Sequence, residues 1–558
     1  MSHEINERQK WDVVSKLVEL ASDERAWLAT AMGTGVLVYL TYLMTHPYPA
    51  YGAGLYMKIA REISAHGYGL PAQIPLYTKE GVPFAYPPLM YYVSAILMDT
   101  TGVDPITLSR LLPGLVTILY LVPFYYLSRE ILDSTPRAGF ATLLLAVSPP
   151  VLQWHLSAGG IVRAPAFLFV VTGAYTGIKL FKTEERKWLL ASAVLFGLII
   201  LTHPVYTVFF GTTYLVMYVC FNRTLRGLVY GGIVVMGGVV ISSPWWLQII
   251  AIHGPSIFTA ASGTHTGLGG GTHRLIKQFI YPLDMSMPTI FFIGSFAGAA
   301  YLVAKRRFFL PLWMLSGAYM LGKLRYQFPA GVMMASVLVF EVVIPLVRRW
   351  SKRTRYSRSA PLAVIMVLAI LVSSVGVAFA AGDLHSHLGS STQPSFVDDD
   401  DMAAMQWAQD NTSPSANFVV LGDSAEWFPL MTDRTILIGP WGVEWKGHAK
   451  YRHQLGLYKR ISRCPGKTCL TQKLVSNKVN PDYVYVPKGH YTVRGIDEYQ
   501  KPWMREHLVD SDRYKLVYEN EGAMIYRIEE PMEPTQVPDD GPQPVPSLSE
   551  PISSSSSV

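Results

Sequence analysis

Charge is scarce in this chain. Only 16% of its 558 residues are Asp, Glu, Lys or Arg, where a soluble enzyme carries about 25%. Cysteine is scarcer still, with three residues that build no disulfide framework. Cys464 and Cys469 could pair with each other if their segment lies outside the cell, while Cys220 sits in an apolar run. A cleavable leader is not expected: the stretch Met1 to Arg25 is polar and charged, and no small-residue cleavage site follows the first apolar run. No zinc-ligand spacing, Walker motif, Gly-x-Ser-x-Gly elbow or dinucleotide fingerprint stands in a credible context. These absences argue against the common soluble enzyme classes and the disulfide-stapled secreted scaffolds. The net charge of +7 suggests nucleic acid only until the charges are located. The densest basic run, Arg348, Arg349, Lys352, Arg353, Arg355 and Arg358, lies between two apolar segments and reads as a cytoplasmic loop. No nucleic-acid partner is expected.

What the chain has instead is apolar runs. Half of its residues are hydrophobic and the mean hydropathy is +0.24, and many runs reach the ~20 residues that cross a bilayer. Spans are expected near 27–45, 108–128, 138–154, 162–181, 188–202, 205–221, 227–250, 287–304, 308–322, 326–347 and 361–381. The piece 87–98 is too short to cross and reads as interfacial or re-entrant. With that reading, Arg129 and Arg137, Lys182 to Lys187, Arg223 and Arg226, Lys305 to Arg307 and the cluster 348–358 all fall inside. The fold class expected is a polytopic α-helical membrane protein of about 11 crossings. Residues 1–26 are then cytoplasmic, 27–381 form the multi-span domain, and the C-terminus lies outside the cell membrane.

The first external loop, 48–107, carries an amphipathic helix from Leu55 to His66. Tyr56, Ile59, Ala60 and Ile63 share one face, Lys58, Arg61 and Glu62 take the other, and Gly67 stops it. Such a helix beside Tyr86-Pro87-Pro88 suits the headgroup layer and a lipid substrate. From 382 the composition becomes that of a soluble domain. A helix is expected after Asp398–Asp401, ending near Asn411, with strands at 416–422, 435–438, 482–487, 514–518 and 523–528. This predicts a small α/β or α+β extracytoplasmic domain over 382–528, followed by a disordered tail over 529–558. Asn411-Thr412-Ser413 is a glycosylation sequon on the outer side.

Four cations fall on the side where the positive-inside rule disfavours them: Arg110, Arg163, Lys323 and Arg325. Each alone is explained as well by snorkelling or headgroup contact, but four together favour a site for a lipid phosphate. The outer carboxylates are Glu62, Glu80, Asp99, Asp104 and Asp284. Glu62 doubles as an i,i+4 partner for Lys58, Glu80 tips a polar loop, and Asp284 closes the long loop 251–286, where a metal or acceptor contact is plausible. His203 turns a span over just before Pro204, where capping the freed backbone is its plain role. Deep inside the spans no ionisable residue is expected and no two-fold repeat is visible, which disfavours a transporter or lipid-sugar flippase.

Leu55 to Ile63, Tyr86 to Tyr92, Ser109-Arg110-Leu111-Leu112-Pro113, Leu201 to Pro204 and Lys323 to Tyr326 together resemble the GT-C superfamily of polyprenyl-phosphate-sugar-dependent glycosyltransferases. Glu426-Trp427-Phe428-Pro429, Arg434 and Gly442-Val443-Glu444-Trp445 are similar to the C-terminal part of archaeal members. The likeness is nearest to haloarchaeal enzymes that move mannose from dolichyl phosphate mannose onto a protein-bound N-glycan. It implies a dolichyl-phosphate-linked sugar as donor, a glycoprotein N-glycan (such as that of an S-layer protein) as acceptor, and contact with membrane lipids. With the chemistry this resemblance implies, Arg110, Arg163, Lys323 and Arg325 are expected to hold the donor phosphate and Glu62 or Glu80 to be the catalytic base, with Asp284 or another group as the alternative, while His203 and Asp284 belong to substrate loops. Whether a divalent cation takes part stays open. Members usually carry an acid just before the amphipathic helix, and here those positions read Gly52-Ala53. An oligosaccharyltransferase is a further alternative, but its Trp-Trp-Asp-Tyr-Gly signature is absent: Trp245-Trp246 continues as Leu247-Gln248.

Overall fold

The computed structural model describes residues 23–262, 271–273, 276, 289–352, 360–384, 391–499, 504, 508 and 511–530. Asp284, the start of the chain, the 353–358 part of the basic run and the tail from 531 lie outside the described residues. The chain forms two compact units, and their boundary is not the single cut expected at 382. The first unit holds the chain up to Ile74, Val82–Ser395 and Trp441–Tyr451; the second holds Pro75–Gly81, Phe396–Pro440 and the chain from Arg452. Two short segments therefore cross over. Pro75–Gly81 joins the second unit because the Leu76 carbonyl accepts from the Ile436 N–H at 2.9 Å and the buried Tyr77 hydroxyl donates to the Glu426 carbonyl at 2.7 Å. Trp441–Tyr451 joins the first unit through Gly442. Its φ of +78° and the 2.5 Å gap between an added Cβ and Val82 admit only glycine there.

The first unit is helical and polytopic. Among the described residues six helices are long and apolar enough to cross a membrane: Glu24–Thr45, Pro105–Leu132, Gly160–Thr183, Pro204–Phe221, Phe328–Ser351 and Ala360–Ala380. A seventh candidate is the pair Leu225–Ile241 and Ser243–His253, bent by 58°, next to Pro244, which cannot donate to the helical ladder. The other expected spans are shorter helices: Arg186–Ile200, Thr289–Ala304, Phe309–Leu321, and a broken pair, Thr135–Ala146 and Pro149–His155. The break at Ser148 follows from Pro149-Pro150, which removes two consecutive N–H donors. The amphipathic helix of the first loop runs Gly54–Ala65 and buries Leu55, Met57, Ile59, Ala60 and Ile63, and Gly67 behind it has φ +60°.

Ion pairs gather the basic loops. Glu130 binds Lys182 at 2.9 Å and also Lys179, and Glu184 binds Arg226 at 2.8 Å. Glu341 accepts from Arg137 at 2.6 Å, Arg307 at 2.8 Å and the Tyr301 hydroxyl at 3.0 Å. Glu341 belongs to the Phe328–Ser351 helix and pairs there with the basic-loop residues Arg137 and Arg307. The charge is tolerated because two guanidinium groups and a hydroxyl take up its lone pairs.

In the first unit two short strands, β1 (Gln73–Ile74) and β2 (Val82–Pro83), pair antiparallel. The second unit carries a five-stranded sheet that takes β4 (Thr435–Ile436), β3 (Asn417–Val420), β5 (Tyr483–Pro487), β9 (Ala523–Ile528) and β8 (Tyr514–Glu519) in that order, with β3 parallel to β4 and β5. β9 (Ala523–Ile528) runs antiparallel to β5 and to β8 (Tyr514–Glu519). All five expected strands are there. A hairpin absent from the sequence reading, β6 (His490–Val493) with β7 (Ile496–Tyr499), turns at Arg494-Gly495, both at positive φ. Buried Asp423 accepts from both turn N–H groups, at 2.8 and 2.7 Å, and from the Tyr458 hydroxyl at 2.6 Å. Cys464 and Cys469 form a disulfide.

The helix Asp399–Asn411 opens with a capping box in which Asp398 and Asp401 exchange side chain-to-backbone bonds. Burial, reinforced by the Asp398 charge, pushes the Asp401 carboxyl up to about 7, against the opposing hydrogen bond from Tyr485. A free Asp titrates near 4, so between about pH 4 and pH 7 the folded state holds a proton that the unfolded chain has released. Stability from this group is complete below about pH 4 and is lost as pH rises towards 7. Thermal melting of the purified protein between pH 4 and 8 is expected to show this decline, and Asp401→Asn to flatten it. Equal pH slopes in both proteins would refute the assignment.

Candidate functional site

Trp154, on the short helix Pro149–His155, is the centre of the site. The Arg163 guanidinium carbon lies 5.0 Å from its ring centroid and that of Arg325 lies 5.6 Å away. Tyr51 stacks on the same indole at 4.8 Å. Tyr51 holds φ at +59°, a left-handed conformation that costs a non-glycine residue about 1–3 kcal/mol. The surroundings fix it there: its N–H donates to the Pro394 carbonyl at 2.7 Å, and its hydroxyl accepts from Gln153 at 2.9 Å. Arg163 comes from the first turn of Gly160–Thr183, and Arg325 from the short turn Leu324–Tyr326. Gly159 leaves the necessary space, since a Cβ there would stand 1.8 Å from an Arg163 terminal nitrogen.

The electrostatics of this cluster are one-sided. Neither Arg163 nor Arg325 forms an ion pair with a carboxylate among the described residues, and the Nε of each is buried without a partner. His155 is fully buried within the field of both cations; its Nε2 shares a 2.6 Å hydrogen bond with the Tyr206 hydroxyl, and its Nδ1 has no partner. Two guanidinium groups drawn to one ring repel each other, and cation–π attraction of roughly 0.5–1 kcal/mol for each holds them there. An anion between the two guanidinium groups would offset the repulsion and satisfy the orphaned donors.

Arg110 donates to the Leu43 carbonyl at 2.8 Å, which ties the helix Pro105–Leu119 to the last turn of Glu24–Thr45. Lys323 precedes the Leu324–Tyr326 turn and is half-buried. His203 caps Pro204–Phe221, its Nδ1 accepting from the Val205 N–H at 3.2 Å. Among the expected bases, Glu62 pairs with Lys58 at 3.2 Å, and Glu80 is exposed on the segment that belongs to the second unit. Arg434 is buried in the second unit, where the carbonyls of Gln409, Thr412 and Thr432 occupy its guanidinium.

A second cluster in the first unit carries the carboxylate that sequence reasoning passed over. Tyr86 donates its hydroxyl to Glu444, and its ring meets Trp445 edge-on at 5.0 Å. Tyr91 lies 6.2 Å from Tyr86 and 5.7 Å from Tyr56. Burial first, then the Glu444 charge, pushes the Tyr86 hydroxyl well above the ordinary phenol range. Burial, Tyr56 and Glu444 raise Tyr91 in the same way, and Arg163 opposes them. The buried Tyr91 thus senses the carboxylate of one cluster and a cation of the other. The sequence signal was Gly442-Val443-Glu444-Trp445 itself, read as part of the outer domain. Among the described residues no three His, Cys, Asp or Glu side chains group as a metal site.

Comparisons with known proteins agree with this architecture. Residues 85–247 match the sequence profile of the dolichyl-phosphate-mannose-protein mannosyltransferase family. No curated protein matches the chain as a whole or in part. The fold is similar to the Archaeoglobus fulgidus oligosaccharyltransferase solved with a tethered acceptor peptide, with a TM-score of 0.58 at 13% identity, over 88% of this chain and 79% of that one. ArnT from Cupriavidus metallidurans bound to undecaprenyl phosphate superposes with a TM-score of 0.53 at 14% identity, over 93% and 99%. The mycobacterial arabinofuranosyltransferase AftD gives 0.55 at 14% identity, over 90% of this chain and 40% of that one. The chain is a polytopic membrane protein of the GT-C fold with a small β-containing C-terminal unit.

Proposed function

We propose that this protein is a glycosyltransferase that moves a single sugar, mannose, from dolichyl phosphate to a protein-linked N-glycan at the outer face of the cell membrane. In this reading the N-terminus is cytoplasmic and the second unit extracytoplasmic. The observation that carries it is the pair of guanidinium groups on Trp154, the Nε of each buried and unpartnered, with no ion pair to a carboxylate among the described residues. The matched family profile supports a mannosyl donor, and the likeness to ArnT, solved with undecaprenyl phosphate, supports a polyprenyl-phosphate lipid.

The chemistry follows from charge. A dolichyl phosphate sugar is a phosphodiester with one negative charge, and the leaving dolichyl phosphate carries up to two. Arg163 and Arg325 therefore hold the transition state more tightly than the bound donor. Arg110 and Lys323, expected to share this role, are assigned supporting positions. A carboxylate must take the proton of the attacking sugar hydroxyl. Glu62 and Glu80 were the first candidates for that base, but the Lys58 pairing of one and the exposure of the other give neither a special environment.

The test compares membranes with and without the protein, supplied with dolichyl phosphate mannose labelled in the sugar and the cell's own glycoproteins. Label is expected in protein only when the chain is present. Absence of transfer from both the mannosyl and the glucosyl lipid would overturn the proposal. Label arriving on asparagine as a preassembled glycan would favour the oligosaccharyltransferase alternative.

A further inference from the structure

We propose that His155 is a positioning residue for donor binding: through the Tyr206 hydroxyl it sets where the Arg325 guanidinium stands over Trp154. The inference rests on the phosphate role given to Arg325 above and deepens it. Trp154 and His155 are consecutive residues of the Pro149–His155 helix. Trp154 meets Arg325 directly, with 5.6 Å between the guanidinium carbon and the ring centroid. His155 reaches the same cation by a second route. Its Nε2 lies 2.6 Å from the hydroxyl of Tyr206, which comes from the first turn of Pro204–Phe221. The Tyr206 ring meets the Tyr326 ring at 5.0 Å, and the Arg325 guanidinium carbon lies 4.9 Å from the Tyr326 centroid. Both tyrosines interact with the Arg325 charge.

His155, Tyr206 and Tyr326 are all buried, so their polar atoms answer to one another and to the cations rather than to bulk water. A neutral imidazole has one N–H and one acceptor nitrogen, and the cation decides which is which. With the proton on Nε2, the Tyr206 oxygen would accept from His155. Its own hydrogen would then face the surroundings it shares with Arg325, positive end against positive charge. With the proton on Nδ1, Nε2 accepts from the Tyr206 hydroxyl. The remaining lone pairs of that oxygen are then left to the guanidinium, and the bond to His155 polarises them further. The cost is one buried N–H without a partner, at Nδ1. A residue serving only as packing would not need to bear that cost, since an apolar ring fills the same space without it. Arg163 acts on both His155 and Tyr206 as well, more weakly than Arg325 does.

The test is steady-state transfer from the labelled lipid donor by full-length variants in membranes, counted per folded molecule. Tyr206→Phe removes one hydroxyl and is expected to lower kcat/KM for the donor by about 10–10²-fold, the range for a hydrogen bond to a charged group. His155→Leu should do the same. His155→Gln, whose amide oxygen accepts at about the Nε2 position, should stay within about fivefold of the wild type. With Arg325→Ala already in place, Tyr206→Phe should cost less than about threefold more, because the two groups act in series. A packing role would add its full loss whatever stands at 325. Tyr206→Phe at wild-type activity, a Gln variant no better than Leu, or an equal loss with and without Arg325 overturns the positioning role, while wild-type transfer keeps the transferase reading standing. A wild type inert with every donor overturns both.

Discussion

Exchanging Arg163 and Arg325 together for Ala is expected to lower kcat/KM for the lipid donor by on the order of 10³–10⁴-fold. Losing one preorganised donor to a developing oxyanion typically costs about 10²–10³. The two guanidinium groups share the Trp154 ring and, in the proposed role, one anion, so their effects should fall short of the product of the single losses. The charge on phosphate grows during the reaction, so kcat should fall further than KM rises. Lys at either position keeps the charge but loses the planar fork and the stacking on Trp154, and an intermediate loss of about 10–10²-fold is expected. Arg110→Ala serves as the comparison. Its guanidinium holds the Leu43 carbonyl, so it should cost about 1–2 kcal/mol of stability and only a few-fold in transfer per folded molecule. Steady-state transfer with purified proteins in lipid vesicles decides the matter. A double Ala variant within tenfold of wild type would remove the phosphate assignment.

The helical architecture was legible in the sequence because apolar runs and basic loops are long-range signals that survive without tertiary contacts. Each expected span coincides with a helix or a helix pair, and the five strands of the second unit's sheet match their β-branched and aromatic runs. Half of the candidate site was legible as well: Arg163 and Arg325 stood out because cations on that side of the membrane needed a reason. Their convergence did not, since Trp154 and Tyr51 are ordinary aromatics until the fold brings them from separate segments onto one stack. Glu444 was hidden for a different reason. Strand periodicity assigns residues to the domain that surrounds them in sequence, and Trp441–Tyr451 leaves that domain for the other unit. The β6–β7 hairpin was missed because its turn, Arg494-Gly495, puts a bulky residue at positive φ where Asn or Asp is the usual signal.

Glu341→Gln is expected to destabilise the membrane unit by about 2–3 kcal/mol, the largest stability effect of any single substitution considered. The carboxylate is only 15% exposed and joins Arg137 of one helix, Arg307 of a loop and Tyr301 of another helix. Gln keeps the volume but leaves two guanidinium groups facing one another without an anion, which costs more than the pair contributes when intact. The backbone adds to the constraint. Pro345 has no N–H to donate to the Glu341 carbonyl four residues earlier, and the helix widens there into a π turn, with the Ile344 N–H bonded to the Val339 carbonyl. That turn sets the direction of the Glu341 side chain, so Pro345→Ala should also loosen the cluster, by a smaller amount. Replacing all three of Arg137, Arg307 and Glu341 by apolar residues should recover much of the loss, because no charge is then left without its partner. Thermal melting in detergent measures each variant. If Glu341→Gln melts with the wild type, the pairing holds no weight in the fold. If it melts lower while transfer per folded molecule is unchanged, this carboxylate secures the helices and takes no part in the chemistry at Trp154.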